Sequence, residues 1–233
     1  MMPAGRKPTF AYADQCGVRR RRVDGEPVLA VVVYEVPDHG ADGVPAEAGA
    51  DPGQAVLVER VFLTVGHGAA DREQLAELLA GAGVALVVDV RRYPASRTNP
   101  DVRREALERW LPERCIDYRW EPRLGGRRHV RAGEPEPDTW WTVAAFRAYA
   151  AYTRTPEFDA ALDQVLADAA RRTTAVMCSE SVWWRCHRRL IADVAALGRG
   201  VPVRHLMPDG RLSPHRPAEG ARRRPDGHLV WDG

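Results

Sequence analysis

The sequence predicts an α/β protein: a mostly parallel sheet with helices on both faces, built as a single compact domain with irregular N- and C-terminal extensions. Three observations carry this expectation. Short apolar runs rich in β-branched residues alternate with longer segments of helical period. Two of those runs, 85–90 and 174–178, are apolar at nearly every position, as strands covered on both faces of a parallel sheet are. Hydrophobic residues make up 45% of the chain and charged residues 28%, a balance that supports a packed core and excludes disorder throughout.

Taken in order, the first strand is read over 60–65 and ends abruptly at Gly66, His67 and Gly68. A helix follows over 71–82, with Leu75, Leu78 and Leu79 on one face and Gly81 and Gly83 to stop it. The run 85–90 is the second strand. Helices are expected over 101–111, 143–153 and 157–171, the last with Thr155 as N-cap and Pro156 at its first position. The strand 174–178 then leads into a helix expected over 184–197, and a strand over 202–206 closes the pattern.

Three regions follow from this reading. Residues 1–56 form an extension whose Gly, Pro, Ala and Asp content keeps no period, save a β-rich run at 28–34 that suits an added edge strand. The α/β domain spans 57–207, and 208–233 reads as an irregular tail. No apolar stretch approaches the roughly 20 residues of a membrane helix, and no signal-type segment is legible, so the expected setting is cytoplasmic with no membrane partner.

Lys7 is the only lysine, which removes Schiff-base chemistry from the central domain, and the net charge is +2. Between Arg91 and Arg131 twelve arginines face six acids, so positive potential concentrates in mid-chain. Four cysteines in a chain this long are too few and too irregular for a secreted disulfide framework.

Ligands of parallel sheets bind beyond the carboxyl ends of the strands. Three such ends carry Gly66, His67 and Gly68; Asp89, Val90, Arg91 and Arg92; and Cys178, Ser179 and Glu180, so distant residues are expected to converge. Cys178 precedes a helix start, where backbone N–H groups favour a thiolate. Glu180 lies on the same loop, and Cys186, His187 and Arg188 follow within eleven residues of Cys178. A lone cysteine ending a core strand is more often structural; the density of the cluster favours function. Arg91, Arg92 and Arg188 suit an anion, with the salt bridge as the ordinary alternative, and Gly125 and Gly126 sit in a cation-flanked loop that suits closure over one.

These motifs also resemble a family. Thr64 to Gly68, Leu86 to Arg91 with Pro94, Ser96, Asn99 and Pro100, Tyr118 ahead of Leu124 to Gly126, Met177 to Glu180 and Cys186 to Arg188 resemble the domain of unknown function 488 family over about 60–206. The resemblance implies a compact α/β domain with a Cys/His cleft, and it places His67, Arg91, Cys178, Glu180, Cys186, His187 and Arg188 at motif positions. It implies no reaction.

The leading functional expectation is an enzyme acting on an anionic small-molecule or nucleotide-like substrate by thiol-dependent chemistry. Cys178 is its nucleophile or redox thiol, His187 or His67 its base, Glu180 a group to orient the base, accept a proton or bind a hydroxyl, and Arg91 and Arg188 its anion clamps. The second is a zinc or iron protein ligated by Cys178, Cys186 and His187, with His67 or Glu180 as a further candidate ligand, against which stands the roughly 100° between successive helical side chains. The third is association with nucleic acid, from the arginine-rich middle and Trp110, Trp120, Trp140 and Trp141.

Overall fold

The structure, a computed structural model, describes residues 62–129, 133 and 136–233. The extension over 1–56 and its strand at 28–34 lie outside the described residues.

Six strands form one sheet in the order β3-β2-β4-β1-β5-β6. β1 (Phe62–Gly66), β2 (Leu86–Asp89), β3 (Asp117–Trp120), β4 (Thr174–Cys178) and β5 (Val203–Leu206) are mutually parallel; β6 (Leu212–Pro214) returns antiparallel to β5. Side chains alternate across the sheet, and the two apolar sets pack against different helices. Leu63, Val65, Val87, Ala175 and Met177 pack with α1 (Arg72–Gly81) and α2 (Arg104–Glu113). Phe62, Leu86, Val88, Val176 and Cys178 pack with α3 (Ala144–Tyr152), α4 (Pro156–Ala169) and α5 (Arg188–Asp193). Helices therefore cover both faces, and the fold is the mostly parallel α/β domain that the sequence predicts.

Local chemistry starts the helices where expected. Asp71 accepts the Gln74 N–H at 2.9 Å while the Gln74 side chain accepts the Asp71 N–H at 3.1 Å, a reciprocal capping box that begins α1. Thr155 accepts the Phe158 N–H at 3.3 Å, with Pro156 at the first helical position of α4.

Three expectations need correction. β3 was not expected; its sequence DYRW has an exposed Asp117 and no fully buried position, as an edge strand permits. The single helix over 184–197 is broken: Trp183–Arg185 is a 3-10 turn and Cys186 is extended (φ −122°, ψ 149°). α5 then begins only at Arg188 and passes into a π-helical segment, Val194–Gly198. The tail over 208–233 is structured, since besides β6 it holds a hairpin of β7 (Ala221–Arg223) and β8 (Leu229–Trp231). Trp231 is fully buried and its Nε1–H donates to Asp193 at 2.9 Å, so an anchor from the chain's end completes the core beside α5.

This topology marks one edge of the sheet. The neighbouring strands β1 and β4 send their connections to opposite faces, β1 to α1 and β4 to α5. The chain thus leaves the carboxyl edge toward opposite faces at β1 and β4, the kind of switch point at which parallel sheets bind ligands.

Candidate functional site

The residues singled out from sequence meet at this edge but divide into two groups. The turn after β1 is stitched to the loop after β4: the His67 N–H donates to Cys178 O and the Gly68 N–H to Ser179 O, both at 3.0 Å. From there the side chains part to the two faces.

On the side of α1 and α2 lie His67, Asp89, Arg91 and Tyr118. Arg91 grips Asp89 through Nε at 2.8 Å and NH2 at 2.6 Å, donates to Val102 O at 2.7 Å, and meets His67 Nε2 at 3.2 Å. Asp89 also accepts the Arg91 N–H and the Tyr118 hydroxyl, at 3.0 and 2.8 Å. Since Arg91 can only donate, His67 Nε2 is the acceptor and Nδ1–H donates to Gly68 O at 2.9 Å, so His67 is neutral and both its nitrogens are engaged. Burial, then the neighbouring Arg91, lowers the His67 pKa to about 4. Arg91 therefore holds the strand end and His67 together, with its donors turned inward.

On the side of α5 lie Cys178, Cys186, His187 and Arg188. Cys178 ends β4 with 6% of its surface exposed, and Cys186 retains 3%. His187 Nδ1 stands 3.6 Å from Cys186 Sγ and 3.9 Å from Cys178 Sγ, and the three atoms lie within 4.8 Å of one another. The extended Cys186 makes this convergence possible, because adjacent side chains need not diverge by a helical step when the first of them lies outside the helix. Tyr149 packs its ring 5.0 Å from the His187 ring. A Cβ built on Gly126 would come within 2.9 Å of His187 Nδ1, so only glycine lets the 125–126 loop approach the imidazole this closely.

Arg188 is buried and committed. Its NH2 donates to Glu180 O, NH1 reaches Thr64 Oγ1 at 3.4 Å, and Nε donates to Cys186 Sγ at 3.4 Å. The two sulfurs consequently differ. Cys178 is pushed up, first by its hydrogen bond to Cys186 and then by burial; Cys186 is held below the usual thiol range because the Cys178 S–H and Arg188 outweigh its own burial. The Arg188 Nε–H thus favours a thiolate at Cys186, where the sequence reading placed it at Cys178. The Glu180 carboxylate stays exposed at the rim. Arg92 and Gly125 sit against each other, a Cβ on Gly125 falling 2.9 Å from the Arg92 backbone nitrogen and from Arg92 Cβ.

A further polar chain backs Arg188 and was not anticipated. Asp193 accepts from His215 Nε2 at 2.7 Å, His215 Nδ1 meets His205 Nε2 at 2.9 Å, and His205 Nδ1 meets Thr64 Oγ1 at 2.7 Å. Trp183 stacks on His205 at 4.0 Å. The only sequence signal was a histidine inside an apolar strand. The four tryptophans proposed as a stacking surface are unavailable in large part: Trp110 and Trp141 are buried, Trp120 donates to Arg91 O at 2.8 Å, and Trp140 packs on the core. A cleft of about 550 Å³ at the opposite, amino end of the sheet holds none of the candidate residues, and Arg119–Asp168 and Arg172–Asp117 ion pairs line it.

Among the described residues, no helix is long and apolar enough to cross a membrane. No curated protein and no solved structure matches the chain. One family does: Domain of unknown function DUF488 matches residues 71–195, from the cap of α1 to the segment following α5. That span includes Arg91, Gly126, Cys178, Cys186, His187 and Arg188 and exceeds half of the 233 residues, so the chain belongs to the DUF488 family.

Proposed function

We propose that this protein is a metalloprotein in which Cys178, Cys186 and His187 hold a zinc-class ion. The observation that carries the reading is the spacing of the donors. With zinc–sulfur bonds of about 2.3 Å and a zinc–nitrogen bond of about 2.0–2.1 Å, tetrahedral ligation puts sulfur and nitrogen about 3.6 Å apart. The two distances here are 3.6 and 3.9 Å. Two soft thiolates with an imidazole favour zinc, or iron(II), over hard-ligand cations. Arg188 Nε–H would serve Cys186 as an outer hydrogen bond to a ligating sulfur, and the Gly126 wall would hold the ring. Three protein ligands leave one position for water or substrate, the arrangement of reactive rather than purely structural zinc. When bound, the ion would supply Lewis-acid chemistry.

The test is metal content of the full chain purified without chelator. About one equivalent of zinc or iron is expected, lost in Cys178→Ser and Cys186→Ser with the fold retained. Two thiols that titrate freely in metal-free protein, and no uptake on adding zinc, would overturn the reading.

A second reading, a thiol enzyme, is favoured by the Arg188 Nε contact to Cys186 Sγ at 3.4 Å. Here Cys186 replaces Cys178 as the nucleophile. Site-resolved alkylation of metal-free protein should modify Cys186 before Cys178, and the reverse order would remove this reading.

A further inference from the structure

The arginine surplus between Arg91 and Arg131 resolves into two classes. Arg91, Arg103, Arg104, Arg109, Arg114, Arg119, Arg123 and Arg128 are committed to carboxylates or backbone carbonyls. Arg131 lies outside the described residues; Arg97 has no such partner among the described residues, and neither do Arg92 and Arg127. Both guanidinia instead flank one ring, Tyr93, at 6.0 and 5.9 Å from its centroid. Tyr93 is 63% exposed, the largest fraction among the exposed large hydrophobic side chains of the described residues. At those distances the cations sit at the outer limit of cation–π contact, and the exposure of Tyr93 leaves aromatic surface open to a ligand.

The support beneath this patch is rigid. Arg128 donates to Gly125 O, Pro122 O and Arg123 O at 2.9, 3.2 and 2.8 Å and lies 3.5 Å over Tyr152. Tyr149 and Tyr152 donate to Leu124 O and Arg123 O at 2.6 and 2.7 Å. Arg127 is fixed at φ 58°, a conformation that costs a non-glycine residue energy and that the surrounding bonds enforce. Gly125 and Gly126 join the parts, one against Arg92 and the other against His187.

We infer that Arg92, Tyr93 and Arg127 form a binding site for a nucleoside phosphate, the base stacking on Tyr93 and the phosphate taken by the two guanidinia, beside the Cys/Cys/His cluster. An open aromatic face with two unneutralised guanidinia matches a ligand that is planar and anionic together. The footprint is that of one nucleotide: Tyr93 is the one ring that the two guanidinia flank, the four tryptophans of the arginine-rich middle are engaged elsewhere, and the net charge is only +2. The site goes beyond the metal reading and does not rest on it.

Calorimetric titration of the full chain with AMP, adenosine, inorganic phosphate and a short single-stranded oligonucleotide tests the inference, with and without chelator. Saturable AMP binding is expected, about tenfold weaker in Tyr93→Ala and in Arg127→Ala. Adenosine and phosphate alone should each bind at least about tenfold more weakly, and chelation should leave AMP binding unchanged. No saturable AMP binding, or binding indifferent to both variants, would overturn the site. So would loss of AMP binding on chelation, which would transfer the phosphate to the metal. An oligonucleotide that binds more tightly than AMP, with a steep loss of affinity in salt, would replace the mononucleotide with nucleic acid. Both variants lie on the surface, and an unchanged melting temperature separates a binding defect from misfolding.

Discussion

Two polar clusters flank the carboxyl edge of one sheet, and they use the same kinds of residue to opposite ends. Around Asp89 and Arg91 the donors and acceptors answer one another: carboxylate, guanidinium, imidazole and phenol each find a partner inside the protein. Around Cys178, Cys186 and His187 three lone-pair donors crowd within 4.8 Å, the two sulfurs facing His187 Nδ1. Perturbed and chemically potent residues are thus not in themselves a site. What marks the second cluster is the convergence of three metal-type donor atoms, and what marks the first is closure.

That contrast is open to experiment, and stability should fall hardest where closure is broken. Asp89→Ala strands the buried Arg91 guanidinium, and the expected loss is about 3–5 kcal/mol in denaturant unfolding. Cys178→Ser and Cys186→Ser in metal-free protein should cost much less. Comparable losses at both clusters would erase the distinction between them. Trp231→Ala should also cost about 3–5 kcal/mol, because it empties a core site and unpairs Asp193. A small effect would return 208–233 to the status of a dispensable tail.

A subtler break is Gly126→Ala. The added Cβ would fall 2.9 Å from His187 Nδ1, so the loop or the ring must yield, and metal affinity should drop roughly 10–100-fold with little change in melting temperature. Unchanged affinity would show that the imidazole is not a ligand.

The smallest effect is one of pH. Burial, then His215 and Arg188, lowers the His205 pKa to about 3 from 6.5; the facing groups are His215, with Asp193 behind it, and Arg188. The unfolded chain binds this proton between pH 6.5 and 3 and the folded chain does not. Stability is therefore full above about pH 6.5 and declines as pH falls toward 3, by at most about 1.4 kcal/mol per pH unit from this group. His205→Gln should flatten that part of the stability profile, and an unchanged slope would mean that His205 is not the group responsible.

The same contrast explains what the sequence could disclose. β2 and β4 were legible because strands buried on both faces must be apolar throughout, and α4 because its cap and first residue are local signals. β3 was not, since an edge strand obeys no such rule. The break at Cys186 was hidden because Cys186, Leu190, Val194 and Leu197 keep helical spacing, and the hairpin of β7 and β8 because its anchor, Trp231 to Asp193, spans distant parts of the chain. Of the candidate site, the membership of Cys178, Cys186 and His187 could be read from their density. Which sulfur bears the charge could not, because that depends on where Arg188 points. Nor could the His205, His215 and Asp193 chain, whose members come from three separate segments. Whether the arginines clamp an anion or bind carboxylates is likewise a matter of tertiary partners: Arg91 turned inward and Arg127 outward from one basic stretch.

The most direct test of the metal centre is the visible spectrum of the metal-free full chain titrated with cobalt(II), which reports both ligand type and geometry. The expected result is an intense tetrahedral spectrum with sulfur-to-cobalt charge transfer that saturates at about one equivalent. It should be abolished in Cys186→Ser and Cys178→Ser and retained in Arg92→Ala. A weak spectrum like that of the hydrated ion, or an intense one that survives loss of both cysteines, would contradict the assignment of Cys178, Cys186 and His187 as the metal ligands.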